Sequence, residues 1–326
     1  MPTIQTFPLG AFVVEAAFIG GKAFFALGDG SVRRVEGPAA EATQVHKGAI
    51  LSAAPSLDSR MLITGGDDGV VAATDAAGQV TRLAERPRKW IDHVAAGPNG
   101  VVGFAAGKRA VVRSADGGER SFDHERAVGG LAFAPKGLRL AVARYDGVTL
   151  WWAGTADARP ASLSWKGAHL AATFSPDGKY VVTAMQENAL HGWRIADAKD
   201  MRMTGYPAKP KSLSWSAKGR FLASSGANAA ILWPFHFRDG PMGKPPLQLG
   251  GRELLVTRVA CHPREEIVAI GYQDGMIMAV RFADAQEALL RRPGEGAVSA
   301  MAWDPTGRLL AFGTEGGAAG VVDLPG

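Results

Sequence analysis

The segment from Ala168 to Ala184 constrains the fold more than any other stretch of the chain. It reads as a short strand, a Pro176-Asp177-Gly178 turn and a second strand, and the same pattern returns along the whole length. Self-similarity at a fixed period marks a repeat architecture, in which one supersecondary unit is copied and stacked on its neighbours. With Pro176 as the register mark, the equivalent positions are Ile19, Leu57, Pro98, Pro135, Pro176, Ala217, Pro263 and Pro305. That gives eight copies spaced 37 to 46 residues apart, numbered here one to eight in chain order.

Side-chain size follows the register. Three residues before each mark stand Ala16, Ala54, Ala95, Ala132, Thr173, Ser214, Ala260 and Ala302, all small. Seven before it stand Phe12, Ile50, Ile91, Val128, His169, Pro210, Val256 and Val298. If each copy is a small sheet and the sheets stand radially about an axis, their first strands converge, and bulk is excluded there by crowding. Further out there is room. Phe133, Phe174, Trp215, Cys261 and Trp303 lie two before the mark. Phe24, Leu62, Leu140, Val181, Leu222, Val268 and Leu310 lie five after it, with Gly103 the exception. These are the apolar positions that sheets packed face to face must bury.

A second turn signal follows ten to twelve residues past the mark, at Asp29-Gly30, Asp68-Gly69, Asp146-Gly147 and Asp274-Gly275. Asn188, Asn228 and Gly316-Gly317 are looser versions, and Lys108-Arg109 departs from the pattern. Asp-Gly between apolar runs signals a hairpin, because its turn needs residues that tolerate positive φ. A third strand comes next, as in Val148 to Trp152, Ala189 to Trp193 and Ala230 to Trp233, and then a weaker fourth, such as Ser162 to Trp165 or Leu247 to Leu249. Four short strands per copy make the blade of a β-propeller.

This order of strand, Pro-Asp-Gly turn, strand, Asp-Gly turn and strand ending near Trp resembles the WD-repeat (Trp-Asp repeat) family over essentially the whole chain. The signature is eroded: Asp75, Asp197, Asp284 and Asp323 sit near the expected acidic end of the third strand, and none directly follows a Trp. The Gly-His dipeptide that opens such repeats is missing, with His46 the nearest substitute. The resemblance implies a non-enzymatic scaffold that organises protein complexes.

The repeat count predicts an all-β, eight-bladed propeller of four-stranded antiparallel blades, with seven blades as the runner-up because the first copy is the least regular. The last copy runs out at Val321 to Leu324, whereas Thr3 to Phe7 precedes the first copy and needs a sheet. The N-terminal strand is therefore expected to complete the last blade and remove a free edge. No linker or composition break interrupts residues 1–326, which read as a single domain. No long apolar run offers a transmembrane helix, and the N-terminus lacks a signal-peptide pattern. Cys261 is the single cysteine, which excludes an internal disulfide and points to a reducing, cytoplasmic location. The Ala, Gly and Arg richness suggests a bacterial source.

Composition gives catalysis no support. There is no Gly-x-Ser-x-Gly elbow, phosphate loop or His-Glu-x-x-His pair. No two of the seven histidines are spaced as paired metal ligands, and Cys261 takes a position that is aromatic in other copies, so it is expected to be buried and inert. No cofactor or metal is expected. Net charge is a modest +5, and the aromatics fall on strand positions, which disfavours nucleic acid. The favoured reading is a scaffold binding a protein or peptide, monomeric outside its complex. Its candidate residues are Arg86, Arg88, Lys89 and Trp90, with Lys209 and Lys211, on the face of the Asp-Gly turns. Phe235, Phe237 and Arg238 belong to an unusually long loop in copy six, on the opposite face. The alternative is a propeller enzyme or small-ligand or metal binder at the channel mouth, which requires acidic and histidine side chains such as His46, Asp92, His93 and His169 to converge.

Overall fold

Apolar alternation punctuated by turn residues folds the chain into thirty strands and one 3-10 turn among the described residues, which in this computed structural model are 2–155 and 159–324. The strands form seven antiparallel sheets. In five of the six four-stranded sheets, strands consecutive in the chain are hydrogen-bonded neighbours throughout, as in Ile50–Pro55, Met61–Gly66, Val70–Asp75 and Val80–Glu85 of copy two. The fold is a β-propeller of four-stranded antiparallel blades. Among the described residues no helix is long and apolar enough to cross a membrane.

Seven blades form rather than eight, which corrects the count taken from the repeats in favour of the runner-up. Copies four and five share one six-stranded sheet. The join consists of two 14-residue strands, Arg139–Trp152 and Ala161–Phe174. The first half of Arg139–Trp152 pairs with Val128–Phe133, and its second half pairs with the first half of Ala161–Phe174. The remainder of Ala161–Phe174 pairs with Tyr180–Met185. Tyr145 opposite Ala168 keeps the ladder running between the copies. Missing side chains make the approach possible. A Cβ on Gly130 would lie 2.7 Å from Ala171 Cα, and one on Gly129 would lie 2.1 Å from the His169 carbonyl oxygen.

The N-terminal strand behaves as expected. Thr3–Pro8 pairs with Ala318–Asp323, from Thr3 opposite Asp323 to Pro8 opposite Ala318, and makes the outer strand of the last sheet. Phe7 and Leu9 enter a core with Phe25, Ala300, Ala311 and Ala319. In copy one the register lies one residue later than the sequence spacing suggests: Val13, fully buried, holds the position assigned to Phe12, which is 43% exposed.

A β-bulge recurs in the first strand of six copies, at Val13/Glu15, Ile50/Ser52, Val128/Gly130, His169/Ala171, Val256/Arg258 and Val298/Ala300. Each bulge adds a residue and increases local twist, leaving a side chain or backbone group free to meet the next copy. Ser299 Oγ donates to the Val13 carbonyl at 2.6 Å and Thr257 Oγ1 to the Val298 carbonyl at 2.8 Å. Ser212 Oγ bonds both the carbonyl and the amide of Val259. Small hydroxyl residues near the start of these first strands thus supply polar links between copies, beside the small residues three before the mark.

The chain divides into two compact units. A terminal unit comprises Met1–Leu27, Arg33–Glu41 and Met201–Gly326, and a central unit comprises Gly28–Val32 and Ala42–Asp200. Within each, apolar clusters lie between successive sheets. In the central unit Ile63 and Val71 of copy two pack with Val94, Val102 and Phe104 of copy three. In the terminal unit Ala260 and Ile277 of copy seven pack with Val298, Leu310 and Phe312 of copy eight.

Candidate partner-binding site

The connections between copies and the second hairpin turns share one end of the sheets because they hydrogen-bond to each other. In the central unit Val45 N donates to Gly30 O, Arg86 N to Gly69 O, His124 N to Lys108 O and Gln186 N to Ala168 O. Equivalent bonds in the terminal unit run from Leu9 N to Gly317 O and from Arg252 N to Asn228 O. Glycine is required at the second turn of copy two: Gly69 has φ +81°, and a Cβ there would lie 2.3 Å from the Arg86 carbonyl oxygen.

His46 fixes the connection that opens copy two. Its Nδ1 lies 3.0 Å from Asp68 Oδ1 and its Nε2 2.8 Å from Thr64 Oγ1, and the ring is almost wholly buried. Partial burial works to raise the Asp68 carboxyl, but His46 and the amides of Val70 and Lys47 outweigh it and hold the group below the usual carboxylate range. Three other connections insert a ring at the same register. His124 accepts from Trp151 Nε1 at 3.1 Å. Trp165 stacks on His191 with ring centroids 4.0 Å apart. Tyr206 Oη lies 2.6 Å from Ser224 Oγ and accepts from Trp233 Nε1 at 2.6 Å. These anchors lie eleven residues before each mark. Only His46 stands out in the sequence, because the ring type changes from copy to copy.

The segment from Arg86 to Trp90 wraps the Asp68-Gly69 turn in the central unit. Arg86 is committed to the fold: it pairs with Glu119 and its guanidinium lies 5.1 Å from the Phe104 ring centroid. Arg88, Lys89 and Trp90 are exposed. Trp90 is 67% exposed, and Arg88 adopts a positive φ of 62°. Among the described residues the side chains of Arg88 and Lys89 hold no carboxylate.

The remaining candidates sit in the terminal unit at opposite ends of one sheet. Lys209 is half-buried and Lys211 exposed, beside the first strand of copy six, where the Lys211 amide bonds Ser225 Oγ. Phe235, Phe237 and Arg238 follow the third strand, at the end where Phe235 N bonds the Arg220 carbonyl. Phe235 is a correction: it is buried at 5%, edge-on to Trp215 with centroids 4.9 Å apart, and offers nothing to a partner. Phe237 stays 40% exposed, covered on one side by His236 and by the Lys244 ammonium. Arg238 is exposed.

Among the described residues no group of three or more His, Cys, Asp or Glu is arranged to hold a metal ion. His46, Asp92, His93 and His169 therefore do not form the cluster that the metal-binding alternative requires. His169 is spent on Thr183 Oγ1 and the Trp165 carbonyl, and burial lowers its pKa. Burial pushes the Cys261 thiol up to about 12, and its sulfur donates to the Ser214 carbonyl, so it is no nucleophile at neutral pH.

The family model for the WD domain, G-beta repeat, matches residues 41–72, the stretch holding His46, Thr64 and Asp68. No curated protein sequence matches the chain. Among solved structures, the crystal structure of the computationally designed Ika8 protein is similar over 97% of each chain, with 19% identity and a TM-score of 0.76. That likeness is one of fold alone, and the fold is shared with 1796 matching chains, so it selects no activity. The matched repeat holds the His46–Asp68–Thr64 anchor, and with the four-stranded blades it makes the chain similar to WD-repeat β-propellers.

Proposed function

We propose that the protein is a non-enzymatic scaffold that captures a protein or peptide partner on the connection-and-turn end of the central unit, around Arg88, Lys89 and Trp90. The observation that carries this reading is Trp90, a large aromatic two-thirds exposed beside two cations that have no carboxylate partner. An exposed Trp flanked by Arg is the composition of an interface anchor, and a loop held on a rigid scaffold presents it without an ordering cost. The fold supports the same reading, since WD-repeat propellers generally act as interaction platforms. Lys211, Phe237 and Arg238 of the terminal unit are secondary contacts in this proposal.

We read residues 1–326 as one propeller domain. We place the protein in the cytoplasm on its single, half-buried cysteine, as a monomer until it meets its partner, in a bacterial host. The test is capture from the native host with a tagged protein. The Arg88→Ala/Trp90→Ala double variant should lose its main co-purifying partner while melting as the parent does. Undiminished capture would remove this surface from consideration.

A further inference from the structure

A gap between two sheets of the central unit marks a second site, at the end opposite Trp90 and independent of the reading above. In most copies the side chain two residues before the turn fills the space against the preceding sheet. Phe133 packs with Val101, Ala105 and Val112 of copy three. Phe174 packs with Ala141 and Val148 of copy four. In the terminal unit Phe18, Cys261 and Trp303 do the same against copies eight, six and seven. Phe133 shows how full that space is: a Cβ on Gly97 or Gly103 would lie 3.1 or 2.9 Å from its ring.

Copy three carries Ala96 at this position. Between the sheets of copies two and three there is a cavity of about 740 Å3, walled by Ile63, Ala73 and Leu83 on one side and Ala96 and Val102 on the other. Leu57 and Met61 stand at its mouth, 68% and 39% exposed. Its charged lining is two arginines, Arg60 and Arg113, against one aspartate, Asp58. The Arg60 side chain is 83% exposed, with Asp58 3.7 Å away.

We propose that this gap is a docking slot for one aromatic side chain carried on an acidic peptide segment of a partner protein. The ring takes the place that Phe133 and Phe174 take in the next two gaps, and the flanking carboxylates face Arg60 and Arg113. The apolar walls supply affinity and the rim cations supply orientation.

The probe is the peptide acetyl-Glu-Glu-Phe-Glu-Glu-amide, followed by saturation-transfer NMR on its ring protons, with Kd from titration. It should bind the full-length protein. Replacing its Phe by Ala, or its four Glu by Lys, should weaken binding at least about tenfold. Ala96→Phe should fill the slot from within, weaken the peptide at least about tenfold and leave the melting temperature equal or higher. Met61→Glu at the rim should weaken the peptide without unfolding the protein, and it decides the matter if Ala96→Phe fails to fold. The proposal is overturned if the Phe peptide does not bind, if the Ala peptide binds as well, or if a folded Ala96→Phe or Met61→Glu variant binds like the parent. Equal binding of the Lys peptide would overturn the acidic character of the partner.

Discussion

The terminal and central units build the same repeat with different fastenings. In the terminal unit the copies are joined by backbone and hydroxyl links: the added strand Thr3–Pro8, and the bonds of Ser299, Thr257 and Ser212 to neighbouring first strands. In the central unit one such link is Ser52 Oγ accepting from Val94 N, and rings carry more of the work, with the buried His46 and the half-buried His124 and Trp165 plugging the connections, a task that Tyr206 alone of these rings performs in the terminal unit. Copies four and five go further and merge their ladders where Tyr145 lies opposite Ala168, with Gly129 and Gly130 allowing the backbones to approach. The central unit also leaves two things open, the Trp90 segment and the slot beside Ala96. A repeat tolerates substitution at one device when another holds the same junction, and the positions released in this way become available for binding.

The contrast is breakable at several points. Deleting residues 1–9 should have the largest effect. It strips six ladder positions and the buried Phe7 and Leu9 from the last sheet, and core deletions of that size cost about 2–5 kcal/mol each. Thermal melting should fall by well over 10 °C; an unchanged curve would mean that the terminal unit does not depend on its added strand. Next is His46→Ala, which leaves Asp68 and Thr64 without their partner and should cost about 2–3 kcal/mol in urea unfolding. Ser299→Ala should cost about 1 kcal/mol, because one hydroxyl bond among several is lost. If it proved as costly as His46→Ala, the distinction between distributed links and single anchors would fail.

Acid should separate the units by a different route. Burial lowers the pKa of His93, His124 and His169 from the ordinary 6.5, and all three belong to the central unit. Below about pH 6.5 the unfolded chain takes up protons that the folded chain refuses, so their contribution is complete above that pH and is lost as pH falls toward the folded values. Hydrogen exchange at pH 7.5 and 5.5, corrected for intrinsic rates, should show protection falling first in the central unit. His169→Gln should flatten that dependence. The smallest effect on stability belongs to Trp90→Ala, within about 0.5 kcal/mol of the parent, although partner capture should collapse. A large destabilisation would show the ring to be part of the fold.

Much of this was legible in the chain itself. The eight copies, the small residues of the first strands, the Asp-Gly turns and the closing role of Thr3–Phe7 follow from residue type at fixed spacing. Gly30, Gly69 and Gly275 adopt positive φ as those turns demand. The anchors were harder to see, because His, Trp and Tyr perform one task through different bonds and only their shared offset from the mark connects them. Phe235 looked like a surface aromatic because it opens a long loop, yet Trp215, distant in sequence, supplies its cover. Arg86 looked like part of a cationic patch until Glu119 and Phe104 accounted for it.

Periodicity and turn chemistry are local, so the sequence alone determined the strand order, the hairpins and the kind of blade. Which copies would merge, which aromatics would be covered and which gap would stay empty depended on what faces each residue across a sheet interface. Those neighbours come from other copies, with no fixed relation in sequence. Ala96 is an unremarkable residue in a strand until the sheet opposite shows that a ring belongs beside it.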